Sequence, residues 1–145
     1  MRTFTDLNDL TALVEARLPA TELFVRWSRG PDADGGRCSR DGLTGGALPG
    51  LSANSLAVEP WWDDRPLRLW VARRLYDYRH LRERRGPGTR PWVLEGEEVG
   101  RGPDNEPLVR CHSPIGWISD EVLVECEDLV VSHAASPWGS LDREG

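Results

Sequence analysis

Lysine is absent from these 145 residues, and all 18 basic side chains are arginine. Such usage points to a GC-rich genome more than to a function. It also leaves Gly100-x-Gly102 without the lysine that a phosphate-cradling loop requires. That pair precedes a predicted strand, whereas the anion-binding motif opens a helix, so it reads as hairpin chemistry. Cysteine is scarce: Cys38, Cys111 and Cys126 are odd in number and unpaired in spacing, which argues against a disulfide framework and for reduced thiols in the core. No C-x-x-C or H-x-x-x-H pairing exists, and the adjacency of Cys111 and His112 is not a ligand spacing, so no metal site is expected. There is no G-x-S-x-G elbow, and none of His80, His112 and His133 stands with a serine or cysteine in an arrangement that suggests a nucleophile and its base, which argues against triad hydrolysis. No stretch approaches the roughly 20 apolar residues that span a bilayer, and the first residues are polar and acidic where a signal peptide would be basic and then apolar. The expected location is the cytoplasm, with no membrane partner.

What is present suits one domain. A chain of this length buries roughly two-thirds of the surface that it exposes when unfolded. Charge is unevenly distributed: residues 1–64 net −4, residues 65–90 net +7 and residues 91–145 net −9. The basic stretch could hold phosphates or nucleic acid, or its arginines could face the acidic C-terminal third within the fold.

Leu7, Leu10, Leu13 and Val14 fall on one stripe, which predicts a short helix capped by Thr5 or Thr3 and ended by Pro19. Residues 22–28 alternate, with Leu23, Val25 and Trp27 on one face and Phe24, Arg26 and Ser28 on the other, as in a half-buried strand. Residues 29–49 are too rich in glycine for either period and form a long loop. A brief strand is expected at 50–54. Asp64 then caps a helix with Pro66 near its start and Trp70, Val71, Leu75, Tyr78 and Leu81 at helical spacing. Residues 84–90 break it. Strands follow at 91–99 and 106–111, paired as a hairpin through residues 100–105, with Pro107 at an edge or a strand start. A short apolar element at 115–118 precedes a last helix running from about Ser119 to Glu127. The expected whole is one α+β domain over residues 1–127, a small mostly antiparallel sheet of about five strands with two to three helices, and a disordered tail over 128–145.

Trp27, Trp70 and Trp92 lie on expected core faces, while Trp61 and Trp62 occupy a turn beside Asp63 and Asp64, which does not suit stacking on nucleic acid. His80 reads as a surface or capping residue near a helix end. One binding reading uses the basic helix: Arg73, Arg74 and Arg79 would engage a protein or anionic partner.

The strings LFVRWSRGPDAD (23–34), LPGLSANSL (48–56), EPWWDDRPLRLWVARRLYDYRHL (59–81) and PWVLEGEEVGRGPDNEPLV (91–109) together resemble a family of short, uncharacterised actinobacterial proteins. A second, partial resemblance is to ADP-ribosyltransferases of the Arg-Ser-Glu class, which bind NAD with an arginine on an early strand, a serine on a following one and a glutamate preceded by a polar or acidic residue. That order is met by Arg26, Ser52 and Glu106, with Ser28 and Asp104 flanking. The resemblance implies NAD as substrate, Glu106 as the catalytic residue, and Arg26, Ser28, Ser52 and Asp104 on the binding side. The residue types suit the chemistry, because a carboxylate can stabilise the oxocarbenium character of the ribose while an arginine fork grips the pyrophosphate. Each also has an ordinary reading: Arg26 on the solvent face of a strand, Ser52 as a turn hydroxyl, Glu106 opening a strand near the sheet edge.

Overall fold

The computed structural model describes residues 1–18, 20–34, 50–62, 64–103 and 105–134. Cys38, Asp104, residues 35–49 of the glycine-rich loop and residues 135–145 of the expected tail lie outside the described residues. In chain order the elements are β1 (Arg2–Phe4), α1 (Leu7–Arg17), β2 (Leu23–Ser28), the single turn α2 (Pro31–Asp34), β3 (Leu51–Ser52), β4 (Asn54–Ser55), a 3-10 turn (Pro60–Trp62), α3 (Leu67–Asp77), α4 (Leu81–Arg84), β5 (Arg90–Arg101), β6 (Pro107–Ile118) and α5 (Asp120–Ala134). The class is α+β, with a mostly antiparallel sheet of six strands in the order β1-β6-β5-β2-β4 and β3 paired to β6. β1 alone runs parallel, against Gly116–Ile118. Among the described residues no helix is long and apolar enough to cross a membrane.

One face of the sheet carries the helices. Leu23, Val25 and Trp27 of β2 point into a core shared with Leu7, Leu10 and Val14 of α1, with Trp70, Val71 and Leu75 of α3, and with Val122, Cys126 and Val130 of α5. The α5 residues recur every fourth position, so they form one stripe along a helix face. α1 is capped by Asp6 and not by a threonine: the Asp6 carboxylate accepts from the Asn8 N–H at 2.7 Å. Asp64 does not cap α3, whose N-terminal boundary is Pro66 with no side-chain cap. The helix expected to continue to Leu81 ends at Asp77; short-range bonds (Arg79 N to Tyr76 O, Leu81 N to Tyr78 O) turn the chain, and α4 begins after His80. α5 in turn continues past Glu127 to Ala134, because Val130 extends the buried stripe. The basic stretch meets the acidic C-terminal third at α5, with Arg68 of α3 paired to Glu125 at 3.3 Å and Arg82 of α4 to Asp120 at 2.7 Å. Both pairs are substantially exposed, so apolar packing and not charge holds these helices together.

The tryptophans complete that core. Trp62 is buried and donates its indole N–H to the Arg65 carbonyl at 3.1 Å, and Trp70 donates to the Leu56 carbonyl at 3.0 Å. Trp61 packs against both rings and reaches Glu59 with its indole nitrogen. The pair expected in a turn does form one, Pro60–Trp62, and packs against the core.

The opposite face of the sheet closes on itself. β2 pairs with β5 along Leu23–Ser28 and with β4 at Phe24 and Val25, while β3 reaches β6 at Leu108 and Val109. Residues 51–55 thus bridge the free edge of β2 to the first half of β6, and the sheet curls around a second apolar cluster of Phe24, Ala53, Trp92, Leu94 and Val109. β5 and β6 form one long hairpin interrupted by bulges, which increase twist and permit the curl. Gly96 sits at one of them, where a Cβ would come within 2.5 Å of the Arg110 carbonyl oxygen. The apolar element expected at 115–118 is the end of β6, and Pro107 is its first residue, where no ladder donor is required. As a result β2 is buried along its whole length and not on one side only.

Candidate active site

The curl turns Phe24, Arg26 and Ser28 inward, so a guanidinium that alternation alone places toward solvent is 9% exposed. A buried charge needs a partner and filled donors. Arg26 Nε donates to Asp34 Oδ2 at 2.7 Å, Nη2 to Asp34 Oδ1 at 3.3 Å and Nη1 to the Ser52 carbonyl at 2.7 Å. The fork on Asp34 is the bidentate geometry of a strong charge-assisted pair.

Asp34 is held from below. Ser28 Oγ donates to Asp34 Oδ2 at 2.6 Å and accepts from the Gly30 N–H at 3.1 Å and from Trp92 Nε1 at 2.9 Å. One donor and two acceptor positions fill the capacity of a hydroxyl. Asp34 N bonds back to the Gly30 carbonyl at 3.0 Å, which winds α2. Gly30 takes φ +116 and lies against Trp117, where a Cβ would be 2.6 Å from the ring; both requirements select glycine.

Ser52 and Glu106 arrive through strand pairing. Ser52 lies opposite Leu108, and the Ala53 N–H bonds the Pro107 carbonyl at 3.2 Å, so Glu106 directly precedes the segment on which β3 lies. The turn before Glu106 is tight: Gly102 N bonds Glu106 O and Asn105 N bonds Gly102 O, both at 2.9 Å, and Asn105 adopts φ 62. The Glu106 carboxylate folds over Gly102, where an added Cβ would stand 1.9 Å from Oε1.

Arg85 follows α4 and adds a second guanidinium. Its Nη1 donates to the Trp27 carbonyl at 2.8 Å and its Nη2 to Ser52 Oγ at 3.4 Å. Ser52 is therefore bracketed, with Arg26 on its carbonyl and Arg85 on its hydroxyl. Part of the Arg85 side chain meets solvent. Desolvation of the head by burial, together with repulsion from Arg26 and Arg84, lowers its pKa to about 10, against the opposing pull of Asp34 and Glu106. An open depression of about 610 Å³, walled by Arg82, Arg90, Asp120 and residues 86–89, begins one residue past Arg85.

Of the residues singled out from the sequence, Arg26, Ser28 and Ser52 share one hydrogen-bonded cluster, while Glu106 stands just before the strand that pairs with β3 and its charge acts on Arg85. Asp104 lies outside the described residues. Arg73, Arg74 and Arg79 are elsewhere, and their polar heads are engaged locally: Arg73 with Asp77 at 2.8 Å, Arg74 with the Ser55 carbonyl at 3.1 Å and over Trp70 and Tyr78, Arg79 with the Tyr76 carbonyl at 2.6 Å and over its ring. Sequence reasoning missed Asp34 and Arg85. Asp34 stands in the segment read as a long loop, 29–49, and Arg85 in the one read as a breaker, RRGPGTR, and only the unexplained polar pair Arg26 and Ser28 on a central strand signals that such partners must exist.

A family model matches residues 1–139 and is described as a family of unknown function (DUF6098). The chain belongs to that family. No curated protein and no solved structure matches it. The family match takes in every residue of the cluster, together with Asp104 and all of α5.

Proposed function

We propose that the protein cleaves the nicotinamide–ribose bond of NAD, as an ADP-ribosyltransferase-like enzyme with Glu106 as the catalytic carboxylate. Ser52 and Asp104 form the binding side, with Arg26, held by Asp34 and Ser28, positioning Ser52. The observation that supports the reading is that Arg26 bonds the Ser52 carbonyl and that Ser52 pairs with Leu108, two residues after Glu106.

In the reaction the C–N bond between ribose and nicotinamide breaks, and its electron pair goes to the ring nitrogen, which becomes neutral. The positive charge that develops on the ribose C1 and ring oxygen is stabilised by the Glu106 carboxylate. Water or an acceptor nucleophile then bonds to C1 and releases a proton, which yields ADP-ribose or an ADP-ribosylated acceptor. The tight backbone turn sets where Glu106 leaves the chain, and its carboxylate lies against Gly102; a carboxylate placed in advance of the substrate is what electrostatic stabilisation requires. Docking through Arg73, Arg74 and Arg79 has less support, since those guanidiniums are directed at the protein's own carbonyls, carboxylate and rings.

The test is nicotinamide release from NAD by the purified protein, with and without host lysate, beside Glu106→Gln. The expected result is release that falls ~10²-fold or more in the variant, the usual scale for losing one electrostatic stabiliser. Absence of release under both conditions, or release that Glu106→Gln leaves unchanged, refutes the reading.

A further inference from the structure

Arg26 resembles the ligand-gripping arginine by its order in the chain, yet its donors are directed inward. Nε and Nη2 fork onto Asp34, Nη1 holds the Ser52 carbonyl, and the side chain is buried. Asp34 is in turn fixed by Ser28, whose hydroxyl is saturated by Gly30 and Trp92. Moving Arg26 onto a ligand would strand a buried carboxylate, which is costly. Arg26 therefore positions Ser52.

Arg85 has the opposite character. Among the described residues its side chain makes two hydrogen bonds, one from each terminal nitrogen. Nε–H and one further hydrogen on each terminal nitrogen are left over from the guanidinium's donor set. Part of the side chain is open to solvent, so an anion can reach it. The head is anchored on the Trp27 carbonyl and the Ser52 hydroxyl, so little rotamer freedom remains to be lost on binding. Arg26 and Arg84 repel its charge, and a bound anion would relieve that repulsion.

We propose that Arg85, and not Arg26, is the side chain that grips the pyrophosphate of a nucleotide ligand, with Ser52 between the two guanidiniums as the hinge of the site. The assignment rests on the NAD reading for the identity of the nucleotide, but not for the anion chemistry. A planar fork suits paired phosphate oxygens. Its position beside Ser52 places the diphosphate next to the strand that leads to Glu106, so the ribose can extend toward the carboxylate.

Isothermal titration of the full chain with ADP, inorganic pyrophosphate and adenosine separates the possibilities. Wild type should bind ADP and pyrophosphate, and Arg85→Gln should weaken both at least ~10-fold while leaving adenosine unchanged, as expected for removal of a charge-assisted fork. In NAD turnover the same variant should raise KM with kcat largely kept, because the lost contact lies away from the breaking bond. Should Arg85→Gln not fold, Arg85→Lys carries the test, with weaker pyrophosphate binding expected since an ammonium cannot fork. ADP binding that is equal in wild type and variants, or absent in wild type, overturns the assignment. Nicotinamide release without Arg85-dependent binding would leave the NAD reading standing and remove this one; Arg85-dependent binding without release would do the reverse.

Discussion

The Arg26–Asp34 pair yields the sharpest stability prediction. Its side chains are 10% and 14% exposed, and the pair joins three parts of the fold: β2, α2 and, through the Ser52 carbonyl, β3. Arg26→Gln removes the charge and leaves Asp34 a nearly buried carboxylate without its arginine, and it removes the Nη1 donor to the Ser52 carbonyl. Breaking one side of a buried pair costs about 3–5 kcal/mol. Removing both charges, as in Arg26→Met with Asp34→Asn, avoids the stranded charge and keeps an amide oxygen for the Ser28 hydroxyl; the remaining cost is that of the Nη1 bond lost from the Ser52 carbonyl, about 1–3 kcal/mol. The double variant should therefore be more stable than Arg26→Gln even though it carries one substitution more. In thermal melts Arg26→Gln should lie roughly 6–20 °C below wild type, given about 2–4 °C per kcal/mol for a chain of this size. Urea titrations of wild type, both single variants and the double variant would measure the coupling directly. If Arg26→Gln lies within about 1 kcal/mol of wild type, or if the single effects simply add, the pair is not the buried unit that the burial and distances imply.

Two further outcomes follow from particular contacts. Gly102→Ala would place a methyl where the Glu106 carboxylate lies, so nicotinamide release should fall at least ~10-fold while the melting temperature moves little, the displaced group being a half-buried side chain in a turn; full activity in this variant would dissociate the carboxylate from the chemistry. Burial raises the Cys126 thiol to about 12 from its usual 9.0, so the unfolded chain ionises first. Stability from this group is complete below pH 9 and declines above it, by about 1.4 kcal/mol per pH unit, until the folded thiol ionises. Denaturation curves at pH 8 and pH 10, compared with Cys126→Ser, should show this loss in wild type only.

Periodicity carried much of the fold. The stripe Leu7, Leu10, Val14, the spaced apolar residues of α3 and the alternation of β2 are local properties, since each depends only on whether consecutive side chains fall on one face. The α+β class and the β5–β6 hairpin follow from the same counting. Its larger failures share one cause, distant contact; the Asp6 cap is instead a local bond from the Asn8 N–H. β1 has three residues and exists because β6 supplies a parallel partner. Asp6 caps α1 although two threonines stand nearby, and α5 continues past Glu127 because Val130 still finds a buried surface.

The residues of the site show the same division. Their types and order were visible in the chain, and Arg26, Ser52 and Glu106 can be named from it. Their environment was not visible. Alternation assigns Arg26 to solvent; the closure of residues 51–55 across the sheet puts it inside, which then requires Asp34, Ser28 and Trp92 to satisfy it. Arg85 shows the largest gap, for nothing in RERRGPG distinguishes it from its neighbours. By itself the sequence determined which local elements form and which charges are available, because backbone preference and side-chain period act over a few residues. Only the tertiary structure decided which of the arginines became a buried strut and which was left holding unused donors beside Ser52, because burial and pairing are set by strands that meet from distant parts of the chain.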